Sequence, residues 1–371
     1  MGVMPQADVR HWIASVLGGH ADADLYVKAL LTEVLDQSEL DGVTPLLRHH
    51  LEQTGQLEFL PRGLQARFQQ IDRKHLAADM ATQDELLYLL KILQSHNIDF
   101  IMLKGEALSH SIYPLPHLRT KTDIDLLFSS KAESERASKI LETEGYQRML
   151  SQQGTFVGYQ FVCHKQYANG FRMVFDIHNE ITNYLWFNRK LRYQYLLENS
   201  NFIEIENVKV RVLNTIHALI HACVHRITNK SNDTEDRLIW LYDIHLLGQS
   251  LSDTQWQNLV QVCSNKDLSE IVRQGLQVSH ETLASSLPPK FIDQLKSNAL
   301  TSNDPFSQKR RRIHMYWSDF ILNKGFANKL TQIRERVFPP ADYMLKRYDL
   351  KSSRWLVYYY LKRVAKVIIK R

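Results

Sequence analysis

Residues Lys104 to Phe128, KGEALSHSIYPLPHLRTKTDIDLLF, constrain the fold more than any other stretch of this chain. An apolar run ends at Lys104-Gly105. A short helix-like segment follows, then Arg119, then Asp123 and Asp125 within an apolar, strand-like run. Alternate residues of a strand share a face, so these two aspartates would point the same way with Cα atoms roughly 7 Å apart. Carboxylates so placed repel each other unless a cation lies between them. Oxygen ligands of this kind suit Mg²⁺, which takes one or two carboxylates and leaves other positions for phosphate oxygens. The stretch suggests a metal-dependent phosphate site.

A third carboxylate sharpens the case. Arg172 to Glu180 reads RMVFDIHNE, a strand-like run with Asp176 and His178 on one face. A lone Asp-x-Asp in a strand is common, and Lys104-Gly105 alone is a strand ending in a turn; the order and spacing of the set carry the weight. In that order the residues resemble the active-site layout of the polymerase-β-like nucleotidyltransferases. They are similar in particular to the uncharacterised bacterial nucleotidyltransferase family, whose first motif reads Lys-Gly rather than Gly-Ser. Lys104, Gly105, Tyr113, Arg119, Asp123, Asp125, Asp176 and His178 meet its pattern. The resemblance is strong from about Asp84 to Gly248, and RERVFPPADYMLKRY (Arg334 to Tyr348) looks like the family's closing segment.

The resemblance implies an α+β fold: a nucleotidyltransferase domain with a small mixed sheet and flanking helices over 96–213. Helical regions at 1–95 and 214–371 would enclose it. It also implies two Mg²⁺ (or Mn²⁺) ions roughly 4 Å apart, clamping the attacking and leaving oxygens of an in-line displacement. Asp123 and Asp125 would bridge both metals. Asp176 would hold the ion that activates the acceptor hydroxyl, or act as its base. Gly105 would let the backbone approach the triphosphate of an NTP such as ATP, with N–H groups of the next helix aimed at it. Lys104 and Arg119 would neutralise phosphate charge, arginine by a bidentate fork and lysine as a point charge.

Composition fits an intracellular, cytoplasmic enzyme. The 371 residues favour two domains over one, and 44% hydrophobic content is enough for real cores. Cys163, Cys223 and Cys263 are scattered, without CxxC spacing, so neither a disulfide framework nor a zinc site is expected. The N-terminal residues lack the charged start and long apolar run of a signal peptide, and no apolar stretch reaches transmembrane length. The net charge of +6 is uneven, with a cluster at Lys309-Arg310-Arg311-Arg312 and a basic last segment. Such a surface attracts phosphate-bearing substrates. Nucleic acid is not an expected partner, because neither an RNP run nor a GXXG clamp is present.

Along the chain, Asp8 to Leu93 has apolar residues at helical spacing, closed by His96-Asn97, and Ile98 to Leu103 reads as the first strand. Glu133 to Glu144 is an amphipathic helix stopped by Gly145. Strands are expected at Phe156 to Gln166 and Phe171 to His178, joined through Ala168-Asn169-Gly170, with another hairpin over Phe202 to Leu213 turning at Glu206-Asn207. His217, His221 and His225 lie along one helix face, but without an HExxH glutamate. A face lining the catalytic cleft, or an ordinary buried one, is the better expectation; His178, His221 and Asp243 are the candidate cleft-lining residues. Arg237 to Leu247 also resembles the family at Trp240 and Asp243, and reads as an amphipathic helix packed on the histidine helix. The tail RWLVYYYLKRVAKVIIKR (Arg354 to Arg371) is aromatic, aliphatic and basic. It would dock on the body, with peripheral contact to an anionic membrane as the other option.

Three functions compete. The first is transfer of NMP from an NTP to a hydroxyl or phosphate acceptor, whether small molecule, sugar phosphate, peptide or protein. The second is a glycosyltransferase using Asp-x-Asp, Mn²⁺ and a nucleotide-sugar, which would need a nucleotide-binding α/β region where the first ninety residues read as helical. The third is a degenerate binding module, which would be expected to have lost an aspartate. All three aspartates are present, so the first reading leads.

Overall fold

The computed structural model describes residues 6–20, 31–152, 154–168, 170–230, 236–300, 318–350 and 352–369. The helical N-terminal stretch resolves into α1 (Gln6–Leu17), α2 (Leu31–Asp41), α3 (Thr44–Gln53) and the long α4 (Arg62–Ser95). Asn97 takes the left-handed conformation (φ 52°) that ends such a helix, with its N–H on the Gln94 carbonyl. The chain continues through β1 (Phe100–Leu103), α5 (Lys104–Ser109), β2 (Ile124–Phe128), α6 (Lys131–Thr143), β3 (Gln147–Arg148), β4 (Gln160–Gln166) and β5 (Arg172–His178). Next come α7 (Leu185–Lys190), α8 (Tyr193–Glu198), β6 (Ser200–Ile205), β7 (Val208–Leu213), α9 (Thr215–Lys230), α10 (Leu238–Gln249), α11 (Asp253–Asn265), α12 (Ser269–Leu283) and α13 (Pro289–Leu300). Helices Phe326–Val337, Ala341–Arg347 and Leu356–Ile369 close the described chain.

The expected α+β architecture is the one adopted. Seven strands form a mixed sheet in the order β3-β4-β5-β2-β1-β7-β6, with β1 and β7 parallel and the β3–β4, β4–β5 and β6–β7 pairs antiparallel. β1 (FIML) and β2 (IDLLF) are buried at every residue, the near-continuous apolar pattern of central strands covered on both faces. At the β6–β7 turn both Glu206 (φ 43°) and Asn207 (φ 69°) are left-handed, as a two-residue hairpin of the primed type requires. Asn169, in the other expected turn, and the cluster Lys309-Arg310-Arg311-Arg312 lie outside the described residues.

The chain divides into two discontinuous compact units. The first comprises Met1–Ile92, Ile101–Ile124 and Asn199–Asp304; the second comprises Leu93–Phe100, Asp125–Glu198 and Pro305–Arg371. Within the first, α10 packs on both α9 and α12. The sequence suggested an amphipathic α10, but Leu238, Ile239, Leu241, Tyr242, Ile244 and Leu247 are all buried, so apolar residues cover it nearly all round. Gly275 of α12 permits a close approach to α9: a Cβ there would stand 2.5 Å from Cys223 Sγ. Within the second unit, α6 starts at a Ser130 cap that accepts the Glu133 N–H and buries Ala137, Ser138 and Leu141. Among the described residues no helix is long and apolar enough to cross a membrane.

Candidate active site

Period-two alternation puts Asp176 and His178 on one face of β5, and the sheet order sets β2, carrying Asp125, beside it. His178 Nε2 stands 2.9 Å from Asp125 Oδ1 and 3.3 Å from Asp176 Oδ2. All three residues are buried, with relative exposures of 3% for Asp125, 7% for Asp176 and 1% for His178. Gln160, at the start of β4 and paired in register with His178, donates from Nε2 to Asp176 Oδ2 at 3.2 Å. The other oxygen, Asp176 Oδ1, is buried without a hydrogen-bond partner among the described residues. An unsatisfied buried acceptor costs ~1–3 kcal/mol.

A cation would relieve that cost. One donor atom from each of Asp125, Asp176 and His178 lies within 4.8 Å of the others, so the three could share one ion. Among the described residues no other such group of histidine, cysteine and carboxylate side chains is found. Two carboxylates suit Mg²⁺ or Mn²⁺, while the imidazole adds a nitrogen donor suited to softer divalent ions as well. The sequence placed His178 on the face of Asp176 as a candidate cleft-lining residue. In the structure it meets both aspartates. Gln160 was missed, although the hairpin register brings it opposite His178. Glu180, two residues beyond His178, was missed too; burial, partly offset by Arg192, pushes its pKa up to about 7.

Asp123 falls just before β2, half-buried, and its Oδ1 accepts the Thr122 hydroxyl at 3.3 Å. It belongs to the first unit, as do Lys104, Gly105 and Arg119. Lys104 joins β1 to α5 in the left-handed region (φ 50°), a strained position for lysine. A Cβ on Gly105 would meet Lys121 Cβ at 3.3 Å and Arg119 Nη1 at 3.5 Å, so this turn is packed against the segment leading to Asp123.

Arg119 was expected to present its fork to phosphate. Instead it grips Asp243 of α10, Nε to Oδ1 at 2.8 Å and Nη2 to Oδ2 at 2.7 Å, while Nη1 donates to the Thr120 carbonyl at 2.5 Å. Tyr113 donates its hydroxyl to Asp243 Oδ1 at 2.7 Å; burial, then the Asp243 charge, raises the Tyr113 pKa well above its ordinary value. Asp243 therefore holds an arginine and a tyrosine together. The sequence also missed a buried polar cluster in the same motif. Lys121 Nζ lies 2.9 Å from Asp79 and 3.2 Å from Glu106, and His110 Nε2 lies 2.9 Å from Glu106 Oε1. Burial pushes Glu106 up, but the His110 hydrogen bond and Lys121 charge outweigh it and leave its pKa below the usual value.

The α9 histidines are not drawn together around an ion. His217 Nδ1 pairs with Asn214 Oδ1 at 2.8 Å, and burial lowers its pKa to about 4. His221 is buried, and His225 packs edge-on against Trp240 with ring centres 5.1 Å apart.

Residues 29–284 match the family described as uncharacterised nucleotidyltransferase. The chain belongs to that family. The matched span contains Lys104, Gly105, Arg119, Asp123, Asp125, Asp176, His178 and Asp243, and ends before the last three helices. Among solved structures, an antigenic nucleotidyltransferase-like protein from Paracoccidioides brasiliensis is similar at 15% identity, with a TM-score of 0.36 over 56% of this chain and 93% of that one. Among curated proteins no match is found.

Proposed function

We propose that this family member is a metal-dependent nucleotidyltransferase that moves NMP from an NTP, with ATP the first candidate, to a hydroxyl or phosphate acceptor, breaking the α–β phosphoanhydride and releasing pyrophosphate. The observation that carries the reading is the buried Asp125–Asp176–His178 group with the bare Asp176 Oδ1, in a chain of nucleotidyltransferase family. Divalent ions, Mg²⁺ or Mn²⁺ and two of them in this reading, would offset phosphate charge and acidify the attacking hydroxyl.

The protein's own residues do the remaining work. Asp125 and Asp176 hold negative charge out of water, where it binds a cation more strongly than it would at the surface. His178, lodged between them, sets their spacing, and Gln160 fixes the Asp176 carboxylate by one oxygen while leaving the other for an ion. Asp123, next but one to Asp125, is assigned as the further carboxylate ligand, and Asp176 is nearest in role to the acceptor. Lys104 and Gly105 are assigned to the triphosphate. Arg119, packed against Gly105 and clamped by Asp243, holds the shape of that turn.

The acceptor is a small molecule, sugar phosphate, peptide or protein hydroxyl. The protein would act in the cytoplasm. Helix Leu356–Ile369 is read first as docked on its own unit, where Tyr360 donates to the Pro339 carbonyl at 2.6 Å and Arg363 Nη2 to the Arg336 carbonyl at 2.9 Å. Val357, Tyr358 and Leu361, all more than half exposed, support peripheral contact with an anionic membrane as the alternative. Incubation with each α-³²P-labelled NTP, Mg²⁺ or Mn²⁺ and a cell extract tests the reading. Label passing to an acceptor in a metal-dependent manner is expected; no transfer from any NTP with either metal would overturn it.

A further inference from the structure

A cavity of about 710 Å³ lies within the first unit, bordered by α1, α2, α12 and the start of α10. Its volume is in the range of small-molecule sites. We propose that it binds a phosphate-bearing ligand, with Arg237 as the residue that grips the phosphate.

Each carboxylate that borders the cavity already has at least one hydrogen-bond or ion-pair partner. Asp41 accepts from Arg10 Nε at 3.2 Å, Gln37 Nε2 at 2.7 Å and the Leu238 N–H at 2.9 Å. Asp236 Oδ2 pairs with Arg226 at 2.7 Å, and Glu281 accepts Gln277 Nε2 at 2.8 Å. Arg237 differs. Its Nε donates to the Leu40 carbonyl at 3.1 Å, but its two terminal nitrogens have no acceptor among the described residues. The side chain is half-buried, and both burial and the nearby Arg119 charge disfavour its protonated form, with only Asp41 acting the other way.

This guanidinium is also held in place. A Cβ on Gly42 (φ 71°) would stand 2.5 Å from Arg237 Nη2 and 2.8 Å from Thr120 Oγ1, so the missing side chain is what admits the arginine against the backbone. A fixed, half-desolvated fork with unused donors, repelled by a neighbouring arginine and opening on a cavity, matches a dianionic tetrahedral group. Phosphate fills both donors and offsets the opposed charges.

The test is calorimetric titration with inorganic phosphate at constant ionic strength, without divalent metal, on the full chain and on Arg237→Gln, Arg237→Lys and Asp176→Asn. Saturable binding is expected to weaken about tenfold or more in Arg237→Gln, as the loss of a charge-assisted pair should, and less in Arg237→Lys. Asp176→Asn should bind as the wild type does. Displacement of phosphate by metal-free ATP would assign the group to the nucleotide, and simultaneous binding would assign it to the acceptor; both support the site. No binding to the wild type would overturn the proposal. So would equal affinity in Arg237→Gln, or an equal loss in Asp176→Asn. Neither metal nor transfer enters these measurements, so a failure of nucleotidyl transfer leaves the phosphate site standing.

Discussion

Arg119 and Asp243, 124 positions apart, form a two-pronged ion pair of 2.8 and 2.7 Å in which both side chains are nearly buried. Tyr113 adds a third hydrogen bond to the same carboxylate. The pair ties the segment between α5 and β2 to the central helix α10, and so holds the turn that carries Lys104 and Gly105.

Breaking this pair from one side leaves a buried charge without its partner. Asp243→Asn or Arg119→Ala should therefore cost ~3–5 kcal/mol, read from urea unfolding. The double change Arg119→Met with Asp243→Leu should cost less than either alone. If the single changes prove neutral, the pair does not anchor the turn.

Lys104 separates stability from function. Glycine adopts its left-handed conformation without strain, so Lys104→Gly should raise stability by about 1 kcal/mol. If the lysine meets the triphosphate, the same change should weaken NTP binding by ~1.5–3 kcal/mol in calorimetry with Mg²⁺ present. A variant that is both more stable and equally tight for NTP would remove Lys104 from the nucleotide site.

The two buried aspartates should part in their effects. Asp125→Asn should lose both Mn²⁺-dependent thermal stabilisation and NTP binding, with the metal-free fold kept, since removing one charge relieves carboxylate repulsion. Asp176→Ala should still bind Mg²⁺–NTP yet fail in single-turnover transfer. Transfer at the wild-type rate in Asp176→Ala would make that carboxylate structural.

Acid should act in opposite senses on the two units. His217 and His245 in the first unit have pKa values lowered by burial from 6.5 to about 4. Their contribution is complete above pH 6.5 and is lost as pH falls through 4, ~3 kcal/mol for His217. In the second unit burial raises Asp319 from 3.8 to about 6, against the pull of Arg336, and Glu180 from 4.5 to about 7. Their contribution is complete below pH 4 and is lost as pH rises through 6 to 7. Hydrogen exchange at pH 4.5 and 7.5, corrected for intrinsic rates, should show α9 and α10 loosening in acid while the segments around Asp319 and β5 tighten. Parallel behaviour of the two units would contradict this.

Much of the site is local in sequence and could be read there. The 98–103 run shortened only to Phe100–Leu103, and α6, the β4–β5 pair and the β6–β7 hairpin lie within a few residues of their expected bounds. Strand parity alone was enough to place His178 with Asp176. These features depend on backbone periodicity and turn chemistry, which act over a few residues.

Spacing could not reveal which distant side chains meet. The sequence by itself determined the family pattern, the α+β composition and the strand positions of Asp125, Asp176 and His178. Only the tertiary structure decided that Arg119 is taken by Asp243, that Gln160 steadies Asp176, that Lys121 and Glu106 form a buried pair, and that Arg237 faces a cavity with donors unused. The physical reason is desolvation. Once the chain closes, each buried charge must find a partner among whatever groups the fold brings near, and that neighbourhood is set by packing between segments far apart in sequence.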